Sequence, residues 1–172
     1  PGASPHNMGF CVNIAGSVNG MPRSYQSKDH YGNTPEKWNY LAVQNMAHWY
    51  DTDTHLTEAL TVDALKTLDY PIENGIPFYL YMAHYSNHTP IQADDRFYQK
   101  YIDMGLDEGQ ARYASMVEGM DKSLGDILDY LEEKNVADNT IIIFMTDNGG
   151  NSENKQKKHN FFHKAPLKLT FF

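Results

Sequence analysis

The longest periodic pattern in this chain does most to limit what it can fold into. Tyr113, Met116, Val117, Met120, Leu124, Ile127, Leu128 and Leu131 recur at gaps of three, one and four. That spacing gathers apolar side chains on one stripe of an α-helix. Glu118, Asp121, Lys122, Asp129 and Glu132 fall on the remaining faces. The pattern predicts a long amphipathic helix lying on a sheet. Ala137-Asp-Asn139 then turns the chain, and Thr140-Ile-Ile-Ile-Phe-Met-Thr146 reads as a strand rich in β-branched residues.

The preceding hundred residues extend this order. Leu60, Ala64, Leu65 and Leu68 stand at helical spacing, with Pro71 expected to end that helix. Pro77-Phe-Tyr-Leu-Tyr-Met-Ala83 reads as a buried strand, and residues 94–102 as a short helix after a polar loop. Helix, strand, loop, helix, strand in this order predicts an α/β fold with a mostly parallel sheet flanked by helices. Residues 1–53 have poor periodicity and many Gly, Pro and Asn, so they read as loop-rich, with a short helix expected between Trp38 and Trp49. The chain divides into this loop-rich region, an α/β core over 54–150, and a polar loop with a strand-like end over 151–172. All three are read as parts of a single domain truncated at both ends.

Composition narrows the partners. The formal net charge is −8, which disfavours nucleic acid, whose binding rests on Lys and Arg neutralising phosphates. No apolar run approaches the length of a membrane span. The single cysteine, Cys11, leaves no disulfide framework and no cysteine metal cluster. With no base or cation beside it in sequence, Cys11 reads as inert rather than nucleophilic.

Two places carry candidate chemistry. Asp147-Asn148 ends the Ile-rich strand and runs into Gly149-Gly150. In open α/β sheets the ligand crevice lies outside the carboxyl ends of the strands. A carboxylate and an amide there suit a hard cation, and equally suit a cap or tight turn. His88 lies in the loop His84-Tyr-Ser-Asn-His-Thr-Pro90, where an imidazole can contact an anion, act as an acid, or simply face solvent. His84, four residues earlier, makes a metal-binding pair with His88 only on a helix, and this segment reads as strand then loop. The aromatics Tyr25, Tyr31, Trp38, Trp49 and Tyr50 suit sugar stacking, but in a long loop they more often pack beneath it.

Taken in order, these pieces resemble one family. Phe78-Tyr-Leu-Tyr-Met-Ala-His-Tyr-Ser-Asn-His-Thr-Pro90, Tyr113-Ala-Ser-Met-Val-Glu-Gly-Met-Asp121, Asp126-Ile-Leu-Asp-Tyr-Leu131 and Asn139-Thr-Ile-Ile-Ile-Phe-Met-Thr-Asp-Asn-Gly-Gly150 are similar to the central part of the type I, formylglycine-dependent sulfatases. The resemblance runs from about residue 7 to 150. It implies the doubly wound α/β fold of the alkaline phosphatase superfamily and hydrolysis of a sulfate ester on a sugar or aryl group. It implies calcium, or magnesium, held in part by Asp147 and Asn148. It makes His88 the sulfate-contacting, catalytic histidine of a His-x-Pro motif. It also implies a sulfated small molecule or glycan as partner and a periplasmic, secreted or lysosomal location.

The departures matter equally. No Cys/Ser-x-Pro/Ala-x-Arg motif is present, since Cys11 begins Cys-Val-Asn-Ile-Ala. The formylglycine and the first pair of metal-binding aspartates are therefore expected upstream of Pro1. Pro166-Leu167 is followed by Lys168-Leu-Thr-Phe-Phe where the family has Pro-Leu-Arg-Gly-Gly-Lys, which leaves Lys168 a weak substitute for the family's second sulfate-binding lysine. Two other readings stay open: a phosphoryl hydrolase or transferase of the same superfamily, and a non-catalytic homologue that binds sulfated glycans.

Overall fold

A computed structural model describes residues 4–34 and 40–145 with their side chains, and residues 146 and 167–171 as backbone. Among the described residues, three α-helices and three strands form an α/β arrangement. In chain order they are α1 (Leu56–Glu73), β1 (Leu80–Ala83), α2 (Asp95–Asp103), α3 (Glu108–Glu133), β2 (Ile142–Thr146) and β3 (Leu167–Phe171).

The long stripe becomes α3. Met116, Met120, Ile127 and Leu131 are buried on it, while Leu128, at the margin of the stripe, is 37% exposed. Asp107 caps its first turn by accepting from the Gln110 amide at 3.0 Å. α3 packs against both α1 and α2. The core lies between α1, α3 and the loop-rich N-terminal region, where Tyr25, Tyr31, Met46, Leu56 and Ile127 are almost wholly buried.

Pro71 does not stop α1; it sits inside the last turn. A proline there forgoes one helical hydrogen bond close to an end that frays anyway. The stop is Asn74-Gly75. Gly75 adopts φ +63°, its amide bonds to the Ile72 carbonyl at 3.2 Å, and the Ile76 amide reaches back to the Pro71 carbonyl at 2.8 Å. That pair of bonds is a Schellman termination, which needs a residue in the left-handed region.

The N-terminal region is loop-rich as expected, with 3₁₀ turns at Pro5–Met8, Ser27–Gly32 and Ala47–Trp49. The helix expected from Trp38 to Trp49 reduces to the last of these among the described residues. Tyr25 and Tyr31 pack beneath the loop rather than presenting faces to solvent.

The sheet differs from the expectation in pairing. Its order is β1-β3-β2, and both pairings are antiparallel. β1 and β2 still run in the same direction, as two strands joined through helices do. β3 enters between them in the opposite sense, so no parallel pair forms among the described residues. The expected buried strand is also half-open. Met82 is buried in β1, but Tyr79 and Tyr81 are 46% and 42% exposed. In β2, Phe144 and Met145 are 47% and 50% exposed.

Candidate functional site at the sheet edge

Register brings the carboxyl ends of β1 and β2 to one edge of the sheet. Ala83 and Met145 both pair with Lys168 of β3, and Thr146 pairs with Leu167. The loop that follows β1 and the chain that follows β2 therefore leave the sheet on the same side. His88 lies on the first of these. Asp147 and Asn148 follow β2 directly in sequence but lie outside the described residues, as does the basic run from Lys155 to Lys164. Lys168 is described as backbone in β3, at the same edge.

His88 is exposed. Its Nδ1 lies 3.2 Å from the Thr89 carbonyl and 3.1 Å from Thr89 Oγ1. In the protonated ring both nitrogens donate, so Nδ1–H can be held by the Thr89 carbonyl while Nε2–H serves an incoming anion.

The backbone beneath this ring is tied from the N-terminal region. The His88 amide bonds to the Tyr85 carbonyl at 3.0 Å, closing a turn. Tyr25 Oη donates to the Tyr85 carbonyl at 2.6 Å and reaches the His88 carbonyl at 3.0 Å. Gln92 Oε1 accepts from the Tyr25 amide at 2.6 Å and from Ser24 Oγ at 3.2 Å. Gln26 Nε2 donates to the Ala93 carbonyl at 2.8 Å. Burial pushes the Tyr25 phenol up, which keeps it a donor.

Behind the loop lies a buried polar layer. Thr57 Oγ1 and Ser86 Oγ are 2.9 Å apart. Thr61 Oγ1, Ser123 Oγ and His84 Nε2 form a chain at 2.6 and 2.9 Å. His55 caps α1 by accepting from the Thr57 amide at its Nδ1 (3.3 Å) and stacks on Tyr25 with ring centroids 5.2 Å apart. Among the described residues, His55 Nε2 and His84 Nδ1 meet no hydrogen-bond partner. Burial pushes His55 down to about 4; Asp94 and the Gln92 backbone oppose this less strongly, and Arg96 adds to it. Burial, then the charge of His55, also lower His84 to about 4. Both rings are therefore neutral near pH 7. Asp94, fully buried, accepts from Arg96 through Nε (2.8 Å) and one terminal nitrogen (2.6 Å).

His84 and His88 do not form a metal pair, since His84 points its Nε2 at Ser123 in the interior while His88 is exposed. Among the described residues no group of three or more His, Cys, Asp or Glu could hold a metal ion. Asp147 and Asn148 have the oxygen chemistry of a calcium site but supply two donors where calcium takes six to eight. Cys11 is exposed and free. The tie from residues 24–26 has no signal in the sequence, because its partners are sixty or more positions apart. Asp94 does have one: an Asp directly before a helix, two residues from an Arg.

The family model of the sulfatases matches residues 6–168, and the chain belongs to the sulfatase family. Among curated relatives, human N-acetylgalactosamine-6-sulfatase is 38% identical over 97 residues, covering 56% of this chain and 17% of that protein. YdeN of Escherichia coli K12, an uncharacterized sulfatase, is 39% identical over 106 residues, covering 60% of this chain and 18% of that protein. The chain thus spans less than a fifth of either relative. Among solved structures, Ps i-CgsB superposes with a TM-score of 0.58 at 24% identity, covering 89% of this chain and 36% of that one. It has also been solved in complex with k-i-k-neocarrahexaose. That likeness shows the shared α/β fold.

Proposed function

We propose that residues 1–172 act as part of the catalytic domain of a sulfatase that hydrolyses a sulfate ester carried on a glycan. Residues 1–53 lie on the substrate side of this domain, 54–150 form its core, and 151–172 read in sequence as a polar loop and a strand-like end. The observation that carries the reading is the common edge of the sheet: in a chain of this family, the His88 loop and the strand preceding Asp147 leave the sheet together. The complex of Ps i-CgsB with a hexaose supports a carbohydrate rather than an aryl leaving group.

In this reading the sheet continues into the doubly wound form of the complete domain. The apolar side chains that β1 and β2 leave exposed, Tyr81 and Phe144 among them, support that extension. Exposed apolar surface of this kind marks a face that something else covers.

The chemistry divides between this chain and the rest of the domain. Asp147 and Asn148 would hold calcium or magnesium, which would offset the sulfate's negative charge, and a formylglycine elsewhere in the longer protein would supply the nucleophilic oxygen. His88 donates from Nε2 to a sulfate oxygen or to the departing alcohol oxygen, where charge develops as the bond to sulfur breaks. Lys168, whose backbone lies in β3 at the same end of the sheet, is the weaker candidate for a second cation. The family resemblance further supports a periplasmic, lysosomal or secreted location.

The test uses the longer protein that carries this chain. His88→Ala should lower kcat/KM for a sulfate ester by about 10²–10³-fold, and Asp147→Ala should remove the dependence on added calcium. Residues 1–172 alone should show no turnover. Unchanged hydrolysis by His88→Ala, or calcium-dependent turnover by residues 1–172 alone, overturns the reading.

A further inference from the structure

We propose that Tyr25, with Gln92 as its partner, is a positioning residue that sets where His88 meets the sulfate group; this rests on the reading of His88 given above. The segment 24–26 grips the His88 loop on both flanks. On the near side the Tyr25 hydroxyl bonds to the Tyr85 carbonyl at 2.6 Å and lies 3.0 Å from the carbonyl of His88 itself. On the far side the Gln92 side chain accepts from the Tyr25 amide at 2.6 Å, and Gln26 donates to the Ala93 carbonyl at 2.8 Å. One residue thus touches both arms of the loop, through its side chain and through its backbone.

Tyr25 is itself immobilised. It is fully buried, its ring lies on His55 at an interplanar angle of 7°, and its carbonyl accepts from the Leu56 amide at 2.8 Å. The chain of support runs from the start of α1, through the tyrosine ring, to the carbonyl of the residue whose imidazole is exposed. Tyr25 makes no contact with substrate in this scheme. It acts through His88, because a loop histidine donates usefully only when its backbone is held to within a fraction of an ångström.

The geometry also selects the residue type. Phenylalanine would keep the stack on His55 and the buried volume while losing only the hydroxyl. Tyr25→Phe therefore separates positioning from folding. Gln92→Met removes the acceptor for the Tyr25 amide at similar length and serves as the second variant.

The experiment is a double-mutant cycle in the longer protein, read by calorimetric titration with inorganic sulfate and by kcat and KM on p-nitrophenyl sulfate, with thermal melts as a check on folding. His88→Ala should weaken sulfate binding, and Tyr25→Phe should weaken it about tenfold while unfolding stays cooperative, with the melting temperature lowered by no more than the loss of one buried hydrogen bond. The pair Tyr25→Phe/His88→Ala should bind no worse than His88→Ala alone, because the tyrosine has nothing left to position. Gln92→Met should reproduce the loss and the same non-additivity. If His88→Ala binds sulfate as the parent does, the role of His88 itself fails. If His88→Ala is impaired but Tyr25→Phe matches the parent, or the two losses add, the positioning role is overturned.

Discussion

The two buried imidazoles give the fold a dependence on acid that can be calculated. His55 and His84 each titrate near 4 in the folded chain, against 6.5 for an exposed imidazole. A histidine with a lowered folded value binds its proton more readily unfolded. Stability is therefore complete above about pH 6.5 and falls as pH drops toward 4. For one ring the loss works out at about 2 kcal/mol by pH 5 and about 3 kcal/mol near pH 4. The two losses do not simply add, since the charge of His55 is among the causes of the shift at His84. The groups facing the rings act in both directions: Asp94 favours a charged His55, and Arg96 opposes it. Urea unfolding of the 172-residue chain at pH 7.5 and pH 5.0 measures the difference. His84→Gln preserves a partner for Ser123 and should recover about 2 kcal/mol of the loss. Proton NMR of the ring Cε1–H resonances reports each titration directly. A ring titrating near 6.5 in the folded chain, or a His84→Gln profile identical to the parent's, would falsify the assignment of the acid loss to these burials.

The remaining predictions concern packing. Gly119 and Gly125 lie in the same helix, yet alanine should have opposite effects at them. A Cβ at Gly119 would meet Asp94 Oδ2 at 2.5 Å, whereas at Gly125 it meets nothing within 4 Å. Gly125→Ala should stabilise by about 0.5–1 kcal/mol through backbone entropy, and Gly119→Ala should destabilise by about 1–3 kcal/mol; denaturant midpoints decide both, and a gain at Gly119 would contradict the close approach of α3 to Asp94. Asp94→Ala should cost about 3 kcal/mol, because Arg96 keeps only its weaker partner Glu58, 3.2 Å away; a loss below 1 kcal/mol by the same assay refutes this. Gly75→Ala should cost about 1 kcal/mol by forcing an L side chain to φ +63°, and an unchanged midpoint would show that the α1 terminus relaxes.

The parts of the fold legible in sequence are those fixed by local periodicity. The stripe from Met116 to Leu131 announces α3 because burial of one face needs no distant partner to be recognised. Pro71 misleads because proline forbids helix only where its missing amide and its ring meet an intact preceding turn, and the last turn of α1 tolerates both losses. The insertion of β3 between β1 and β2 is illegible for another reason. A short strand carries its facing pattern in its own residues but not the identity of its neighbour. At the candidate site, the position of His88 on an exposed loop is legible through its place between a strand and Thr89-Pro90. Tyr25 is not, since a tyrosine in a glycine-rich loop gives no hint of a bond to a carbonyl sixty positions away.

Hydroxyls and imidazoles in the interior raise the question of why apolar residues do not stand there instead. Buried polar groups without partners cost free energy, and His55 Nε2 and His84 Nδ1 have none among the described residues. The cost is intelligible if location matters more than stability. Thr57 Oγ1 fixes Ser86 from α1, two residues before His88, and Ser123 Oγ fixes His84 from α3, four residues before it. Hydrogen bonds are directional where apolar contacts are not, so they hold the loop in one register and orientation. An apolar layer of equal volume would remove this directional hold on residues 84 and 86 and leave the loop to the bonds from Tyr25. The expectation is then specific: Thr57→Val with Ser86→Ala should change stability by less than about 1.5 kcal/mol, since both partners of one bond vanish together. Affinity of the longer protein for inorganic sulfate should nevertheless fall severalfold. A double variant that loses stability but keeps that affinity would mean the polar layer serves the core alone.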